Sequence, residues 1–243
     1  MRYFYNEGQK NMSFGTRKLF KILIISFLVF SSTSHAINPE VYEFAHPPQA
    51  YSPVPAGLVD VLDVVPGIHL DLRYATTNNF MGKRLDGYKA ARAFLLPGVA
   101  KKLLEVQMEL EKKGLALKIY DAYRPLRAER QMLDWARDTG HDNLLKDGYL
   151  YSHIKPWHRH GHSCGNCVDL TIVDKNGREL DMGSSFDDFS EKSWIRSATG
   201  KALENRLLLR DLMAEHGFRD FYKEWWHFTY WDEVGPLLDI EIQ

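Results

Sequence analysis

Residues 160–171 read HGHSCGNCVDLT, and they constrain the fold of this chain more than any other stretch. Two histidines, two cysteines and an aspartate lie within ten residues, and each of these side chains can bind a metal ion. Asp169 falls in CVDLTIVD, a predicted strand, whereas His162 lies in the loop that enters it. A turn at Gly165–Asn166 would bring the two side chains to one centre. Alone, this spacing is a weak signal, because such a pair is more often two unrelated polar residues.

A second polar pair lies near the end of the chain, in the sequence EWWH. Glu224 and His227 stand in an aromatic setting that excludes water, where a carboxylate can act as general base toward a metal-activated water. The alternative is an aromatic core strand with polar ends. Taken together, His162, Asp169 and His227 offer two imidazoles and one carboxylate with a fourth position open. That composition favours a catalytic zinc site over a closed structural one.

Cys164 and Cys167 leave several interpretations open. As zinc ligands beside His162 and Asp169 they would close a structural site, but EWWH would then have no role. A disulfide requires a turn at Gly165–Asn166, because an extended span of this length is about 10 Å and a disulfide needs Cα atoms within about 7 Å. Two free, partly buried thiols are the equal alternative. A redox-enzyme role is disfavoured, because no βαβ context surrounds the pair.

The rest of the chain predicts one domain of mixed α+β structure. Its 243 residues are 44% hydrophobic and 26% charged, enough for a full core. Helices are predicted over 97–113, 125–138 and 203–216, with the first carrying an apolar stripe that includes Met108. LVDVLDVVPGIHLDLRYAT, LALKIYDAY and FRDFYKEWWHFTYW are predicted to contain strands. Because helices and strands do not alternate regularly, a βαβ fold is not expected.

The N-terminal residues have the composition of a secretory signal. Basic TRKLFK precedes the apolar run ILIISFLVF, and small residues follow up to Ala36, so we predict a signal peptide over 1–36. A membrane anchor is the alternative, but nine residues fall far short of the roughly 20 that a spanning helix needs. Residues 37–57 contain five prolines and are predicted to form an extended lead-in to a domain over 58–243. We therefore expect an exported protein, periplasmic or secreted, with no stable membrane span.

The charge balance disfavours nucleic-acid binding. Residues 1–36 contain five of the 31 basic residues and one of the 32 acidic residues, so the remaining chain carries 26 and 31, a net charge of −5. Such a surface does not attract a polyanion without specific contacts. Export also implies an oxidising compartment, in which the two cysteines could pair.

Several motifs together resemble a known enzyme family. HSCGNCVD fits the pattern His-x-x-Gly-x-x-x-Asp and EWWH fits Glu-x-Trp-His, the paired signatures of LAS-type zinc peptidases, which include bacterial D,D- and L,D-carboxypeptidases. YDAYRP resembles the segment that carries the catalytic arginine in VanX-like D-alanyl-D-alanine dipeptidases, and DLRYATTNNFMGK, DGY and MGSSFD resemble the same branch. The similarity runs in order from about Asp71 to Trp231.

The resemblance implies a fold and a metal site. The fold would be a single α+β domain with a small, mainly antiparallel sheet flanked by helices, and the sheet would hold one Zn²⁺. His162, Asp169 and His227 would be its ligands. Glu224 would activate the attacking water and later protonate the leaving amine.

Two further roles follow from the resemblance. Arg124 would stabilise the developing oxyanion, and Asp187 in SSFD would receive the substrate's ammonium group. A surface salt bridge is the alternative for Arg124, but its place between a predicted strand and Pro125 favours the edge of a pocket. For Asp187, a solvated loop carboxylate is equally plausible. The chain departs from the family at His160, which stands where relatives have a serine, and we expect it to support the ligands in that serine's place.

Three functions are consistent with these residues. The first is hydrolysis of D-alanyl-D-alanine, or of a similar small D-dipeptide, in cell-wall peptide turnover. The second is a carboxypeptidase that trims peptidoglycan stem peptides with the same ligands. The third is a zinc-bearing binding domain without activity, against which the presence of Glu224 and Arg124 argues, because neither is needed to hold a metal.

Overall fold

The computed structural model describes residues 54–150 and 160–243, which belong to one compact unit. The predicted signal peptide over 1–36 and most of the predicted lead-in over 37–57 lie outside the described residues. Within the described ranges, no helix combines the length and the apolar character that crossing a membrane requires.

A five-stranded sheet forms the centre of the domain. Its strands are β2 (His69–Leu70), β4 (Leu115–Asp121), β5 (Cys167–Asp174), β6 (Phe218–Phe221) and β7 (Glu224–Tyr230), in the order β2-β4-β5-β7-β6. Among the strand pairs that the described residues form in this sheet, β2 with β4 is parallel and the others are antiparallel. A separate antiparallel pair joins β1 (Val59–Asp60) to β3 (Phe94–Leu95). The mainly antiparallel α+β architecture expected from the sequence is therefore confirmed.

Strand β5 is buried along nearly its whole length. Every residue from Cys167 to Val173 is buried, because β4 and β7 pair with its two edges while helices and loops cover the sheet. Its sequence is accordingly a nearly continuous run of apolar residues, and Asp169 and Thr171 are exceptions that need a polar partner or a function.

Five α-helices lie in the described residues. They are α1 (Val61–Val64), α2 (Pro97–Glu111), α3 (Leu126–Asp138), α4 (Asp142–Lys146) and α5 (Gly200–Glu215). Pro97 begins α2, where its missing N–H costs nothing, and α2 packs on β4. The backbone N–H of Leu117 in β4 donates to Oε1 of the buried Gln107 in α2, at 2.9 Å. Helix α5 packs against β6 and β7, beside the EWWH strand.

The structure corrects some details of the predicted elements. The buried face of α2 consists of Val99, Leu103, Val106 and Leu110 with their neighbours, whereas Met108 is half exposed. Helix α5 begins at Gly200, three residues before its predicted start, after Thr199 as N-cap residue. The short helix α4 follows α3 in a stretch for which the sequence predicts neither a helix nor a strand. Hydrophobic periodicity located α2, α3 and α5 and placed the start of α2 correctly at Pro97, but it did not fix the first turn of α5.

Candidate functional site

Three adjacent strands of the sheet place polar residues side by side. In the register of β4, β5 and β7, Asp121 lies opposite Asp169, and Asp169 lies opposite His227. His162 approaches this row from a 3-10 turn, His162–Cys164, that precedes β5. The turn ends at Gly165, whose φ of +73° favours glycine and where a side chain would have to displace the Leu58 side chain. The predicted turn at Gly165–Asn166 thus brings His162 to Asp169.

The three predicted ligands lie close enough to share one ion. One donor atom from each of His162, Asp169 and His227 lies within 4.8 Å of the others. His162 Nε2 is 3.2 Å from His227 Nδ1, and the Asp169 oxygens are 3.0 Å from His227 Nδ1 and 3.3 Å from His162 Nε2. Tetrahedral ligands about 2.0–2.1 Å from an ion are about 3.3 Å apart, so this donor set fits Zn²⁺.

Each imidazole has a separate partner for its other nitrogen. His162 Nδ1 lies 2.7 Å from the carbonyl oxygen of Ala122, to which it can only donate, so Nε2 is left with its lone pair. His227 Nε2 lies 3.2 Å from the hydroxyl of Thr229. When Nε2 of His227 donates to this hydroxyl, Nδ1 keeps its lone pair, and two imidazoles in this state beside a carboxylate form a donor set for a cation.

The ionisation of the cluster agrees with a cation site. Burial raises the pKa of the Asp169 carboxyl, but the neighbouring His162 and His227 outweigh it, so the net pKa lies below the usual range. Burial lowers the pKa of His227, which favours its neutral, metal-binding form. For His162, burial lowers the pKa, but the opposing effect of the Asp169 charge is larger in sum with its hydrogen bond, so the net pKa is raised. The site therefore holds an ionised carboxylate and attracts positive charge.

Arg124 reaches the cluster from the end of β4, as predicted. Its guanidinium lies 2.8 Å from Asp121 and 3.4 Å from Asp169, and it packs over the ring of Tyr74 at 4.8 Å. The side chain is only 11% exposed, which excludes the alternative of a surface salt bridge. Asp121 was missed by sequence reasoning, although it stands in the same YDAYRP segment. It is buried, accepts from Arg124 and Tyr88, and thereby holds the guanidinium in place.

Glu224 lies at the start of β7 on the wall of the same cavity. It is buried, and in the described part of the chain its carboxyl group has no hydrogen-bond partner. Burial, followed by the charges of Asp169 and Asp187, raises its pKa well above the usual range. A carboxyl group in this state readily takes up a proton, which is the property that a general base needs.

Asp187 borders the cavity and does not form the solvated loop carboxylate of the alternative interpretation. The hydroxyl of Tyr74 donates to it, with oxygen–oxygen distances of 3.1 and 3.3 Å. Asp187 has a φ of +60°, unlike every other non-glycine residue in 54–150 and 160–243, and such strain concentrates at functional sites. Burial, then the charge of Asp169, raises its pKa to about 8. Tyr74 is a second residue that sequence reasoning missed, although it lies in the quoted DLRYATT segment.

These residues surround a cavity of about 370 Å³. That volume suits a small ligand and is at the lower end of the range of binding pockets. Aromatic residues form much of its wall, and polar residues converge on its floor: Tyr74, Arg124, His162, Asp169, Asp187, Glu224 and His227. All predicted site residues except His160, Cys164 and Cys167 line it.

The prediction for His160 requires a correction. Its ring contacts none of the three candidate ligands; instead Nδ1 accepts from the side-chain amide of Asn166 at 2.9 Å. The Asn166 oxygen accepts from Gly161 N at 3.0 Å, so Asn166 fixes the loop before His162. The other face of His160 packs on Trp231, with ring centroids 4.1 Å apart. His160 thus acts on the loop through Asn166 and does not replace a ligand-supporting serine.

Of the two alternatives left open for the cysteines, a disulfide and free thiols, the structure has the free thiols. Cys164 and Cys167 are both free and buried, and the Cys167 thiol lies 3.1 Å from the hydroxyl of Thr229 on β7. Cys164 ends the 3-10 turn while Cys167 begins β5, so the two side chains serve different elements. Neither belongs to the candidate metal cluster, which also excludes the closed structural site.

Comparison with known proteins identifies the family of this chain. Residues 55–241 match the family model described as D-ala-D-ala dipeptidase, Peptidase_M15. The chain belongs to this family of peptidases. A D-alanyl-D-alanine dipeptidase of Enterococcus faecalis is 35% identical over 192 residues, which cover 74% of this chain and 94% of that protein. A D-alanyl-D-alanine dipeptidase of Escherichia coli is 35% identical over 177 residues, covering 70% and 83%.

Among solved structures, the chain is similar to a vancomycin resistance D,D-pentapeptidase, VanY, in complex with Zn(II). The identity is 13%, the TM-score is 0.34, and the match covers 60% of this chain and 77% of the other. Membership of the peptidase family rests on the family model and on the dipeptidase relatives.

Proposed function

We propose that this protein is a zinc-dependent dipeptidase that hydrolyses D-alanyl-D-alanine or a similar small D-dipeptide. The observation that carries the proposal is the placement of Asp187 at the cavity wall, held by Tyr74 and close to Glu224. A buried carboxylate there binds the free ammonium group of a dipeptide and blocks extension of the substrate beyond it. The similarity over nearly the full length of relatives named D-alanyl-D-alanine dipeptidase supports the same substrate.

His162, Asp169 and His227 would hold the Zn²⁺ ion. When bound, zinc polarises the scissile carbonyl and lowers the pKa of a water molecule. Glu224 accepts the proton of the attacking water and returns it to the departing amine nitrogen, so that one water and one peptide bond give two amino acids. The raised pKa of Glu224 suits this exchange, because the group both gains and loses a proton within one turnover.

Arg124 would stabilise the negative charge that develops on the carbonyl oxygen. Its guanidinium is fixed by Asp121 and by packing on Tyr74, so it needs no reorganisation during the reaction. Asp187 orients the dipeptide by its ammonium group, and the aromatic wall of the cavity excludes water.

The discriminating experiment is a hydrolysis panel on the purified protein that lacks residues 1–36. We expect release of D-alanine from D-Ala-D-Ala, about one zinc per chain, and slow cleavage of a stem pentapeptide ending in D-Ala-D-Ala. A pentapeptide cut as fast as the dipeptide would instead assign carboxypeptidase activity, and Asp187 would then lack the role proposed for it.

We further propose export of the protein and a role in the turnover of cell-wall peptides. The basic, apolar and small-residue pattern of residues 1–36 supports export. A fusion of residues 1–36 to a reporter enzyme that is active only after export should give activity. A matched fusion in which Leu23 and Ile25 are changed to Asp should abolish it, and equal activity of the two fusions would contradict the proposal.

A further inference from the structure

One arginine on the cavity wall has no part in the mechanism above. Arg219 lies on the edge strand β6, opposite Thr229 of β7, and borders the cavity. Within the described part of the chain it forms no ion pair. Arg124, by contrast, has its charge offset by Asp121 and Asp169. Arg219 is therefore the cavity's uncompensated cation among the described residues.

The guanidinium of Arg219 rests on an aromatic platform. Its central carbon lies 5.1 Å from the centroid of the Trp231 ring, and the ring of His160 packs against the same Trp231 at 4.1 Å. His160 is held in turn by the amide of Asn166. Stacking of this kind holds the planar cation near the cavity but leaves its N–H groups free to donate.

The position of Arg219 is complementary to that of Asp187. The segment that carries Asp187 packs at the start of β7, where Trp225 Nε1 donates to the Ser184 hydroxyl at 3.0 Å. Arg219 lies opposite Thr229, toward the end of the same strand, and His227 lies between the two. The cavity thus has a carboxylate on one side of the candidate metal ligands and a cation on the other.

A dipeptide has the complementary arrangement of charges, with an ammonium group at one end and a carboxylate at the other. Thr229 lies two positions beyond His227 along the strand, a distance of about 7 Å. A carboxylate one residue beyond the scissile carbonyl lies within reach of a long arginine side chain at that position. Asp220 also borders the cavity, but no ion pair joins it to Arg219.

We propose that Arg219, supported by Trp231 and His160, binds the C-terminal carboxylate of the substrate and makes the enzyme select for a free C-terminus. This proposal rests on the proposed peptidase function. It adds a specificity-determining residue on β6, outside the ligand and general-base motifs. Because a charge-assisted hydrogen bond is made to the carboxylate, loss of the guanidinium should weaken selection of the free acid about 10- to 100-fold.

The test compares D-Ala-D-Ala with its C-terminal amide in the wild type and in Arg219→Ala. In the wild type, kcat/KM should favour the acid. Arg219→Ala should lower kcat/KM for the acid about 10- to 100-fold and leave that for the amide within about twofold, and Arg219→Lys should recover part of the preference. Arg196→Ala, which removes an exposed arginine away from the cavity, is the matched control and should change neither value.

Two outcomes would overturn the proposal. In Arg219→Ala, kcat/KM could fall equally for the acid and the amide, or the preference for the acid could stay unchanged. If the wild type hydrolyses neither compound, the proposed function fails. Calorimetry then tests the role of Arg219 separately. The double variant Glu224→Gln/Arg219→Ala should bind D-Ala-D-Ala more weakly than the single variant Glu224→Gln. Equal binding by the single and the double variant would remove Arg219 from the site.

Discussion

The residues around the candidate ligands include more acidic than basic side chains. Four buried or half-buried carboxyl groups (Asp121, Asp169, Asp187 and Glu224) surround one arginine, Arg124. The net pKa of Asp121, Asp187 and Glu224 is raised, mainly by burial, which is the expected response when anions outnumber cations in a poorly solvated space. A divalent cation at His162, Asp169 and His227 would offset this excess. The geometry of the donors and the charge of their surroundings therefore lead to the same conclusion.

Glu224→Gln should abolish turnover without loss of metal. We expect kcat to fall by on the order of 10²- to 10⁴-fold, the usual contribution of a general acid–base. Zinc content should stay constant, because Glu224 is not one of the three clustered donors. Glu215→Gln, on the exposed end of α5, is the control. D-alanine release together with metal analysis measures both effects, and activity close to that of the wild type would remove Glu224 from the mechanism.

Asp187→Asn should raise the melting temperature of the metal-free protein at alkaline pH and impair substrate binding. The folded-state pKa of about 8 lies above the unfolded value of about 3.9, so the ionised aspartate opposes folding increasingly as pH rises between these values. The variant should therefore melt at a higher temperature than the wild type at pH 8, with no difference near pH 3.

The same substitution should raise KM for D-Ala-D-Ala, because the ammonium group loses its counter-charge. Melting curves at several pH values and dipeptide kinetics measure the two effects. A melting difference that is independent of pH would contradict the assignment of the raised pKa to Asp187.

Among the elements, strand β5 contributes most to the site. It lies between β4 and β7, so Asp169 meets Asp121 on one side and His227 on the other. Side chains two residues apart share a face of a strand, which puts Cys167 on the same face as Asp169. A buried central strand cannot shift its register without moving Asp169 away from its partners, so the packing of β5 also fixes the geometry of the candidate ligands.

The thiols at the beginning of β5 should be unreactive in the folded protein. Burial raises the pKa of Cys164 to about 11, and it raises the pKa of Cys167 by a larger amount. At pH 8 both remain protonated and shielded, so alkylation should be slow, and it should accelerate as pH approaches 11. In denaturant without reductant, titration should give two thiols per chain; a value of zero would show the disulfide that the structure lacks.

At the scale of the whole domain, the site residues come from several strands of the sheet and from a loop, so the site exists only when the sheet is complete. Arg124 follows β4, Asp169 lies in β5, His227 in β7 and Arg219 in β6, and Asp187 enters on a loop between β5 and α5. No local segment contains all of the candidate donors. Metal affinity and global folding should therefore be coupled, because an unfolded chain cannot present the three ligands together.

Chelation should lower the thermal stability of the whole domain. Zinc at 100 times its Kd stabilises a folded protein by about 2.7 kcal/mol when the unfolded chain does not bind it. Removing it with a chelator should therefore lower Tm by several degrees, and added zinc should restore it. His162→Ala should have a lower Tm and lose this response. If chelator and zinc change the Tm of His162→Ala as much as that of the wild type, the metal binds elsewhere.

The sequence by itself determined the main elements and most of the site. Apolar periodicity located the three long helices and the strands β4, β5 and β7, because local patterning and long-range burial agree there. Paired motifs identified His162, Asp169, His227, Glu224 and Arg124, since each motif keeps its chemistry in a fixed local spacing. The start of α5 and the exposed position of Met108 were not predictable, because cap geometry and neighbouring elements decide them.

Only the tertiary structure decided how these residues act on one another. Asp121 and Tyr74 became recognisable once their contacts with Arg124 and Asp187 were known. His160 proved to bind Asn166 and Trp231, and the cysteines proved to be free. The reason is physical: pKa shifts, hydrogen-bond partners and charge compensation depend on distances of a few ångströms between residues far apart in the chain. Sequence spacing fixes such distances only within one turn or strand, and strand register fixes the rest.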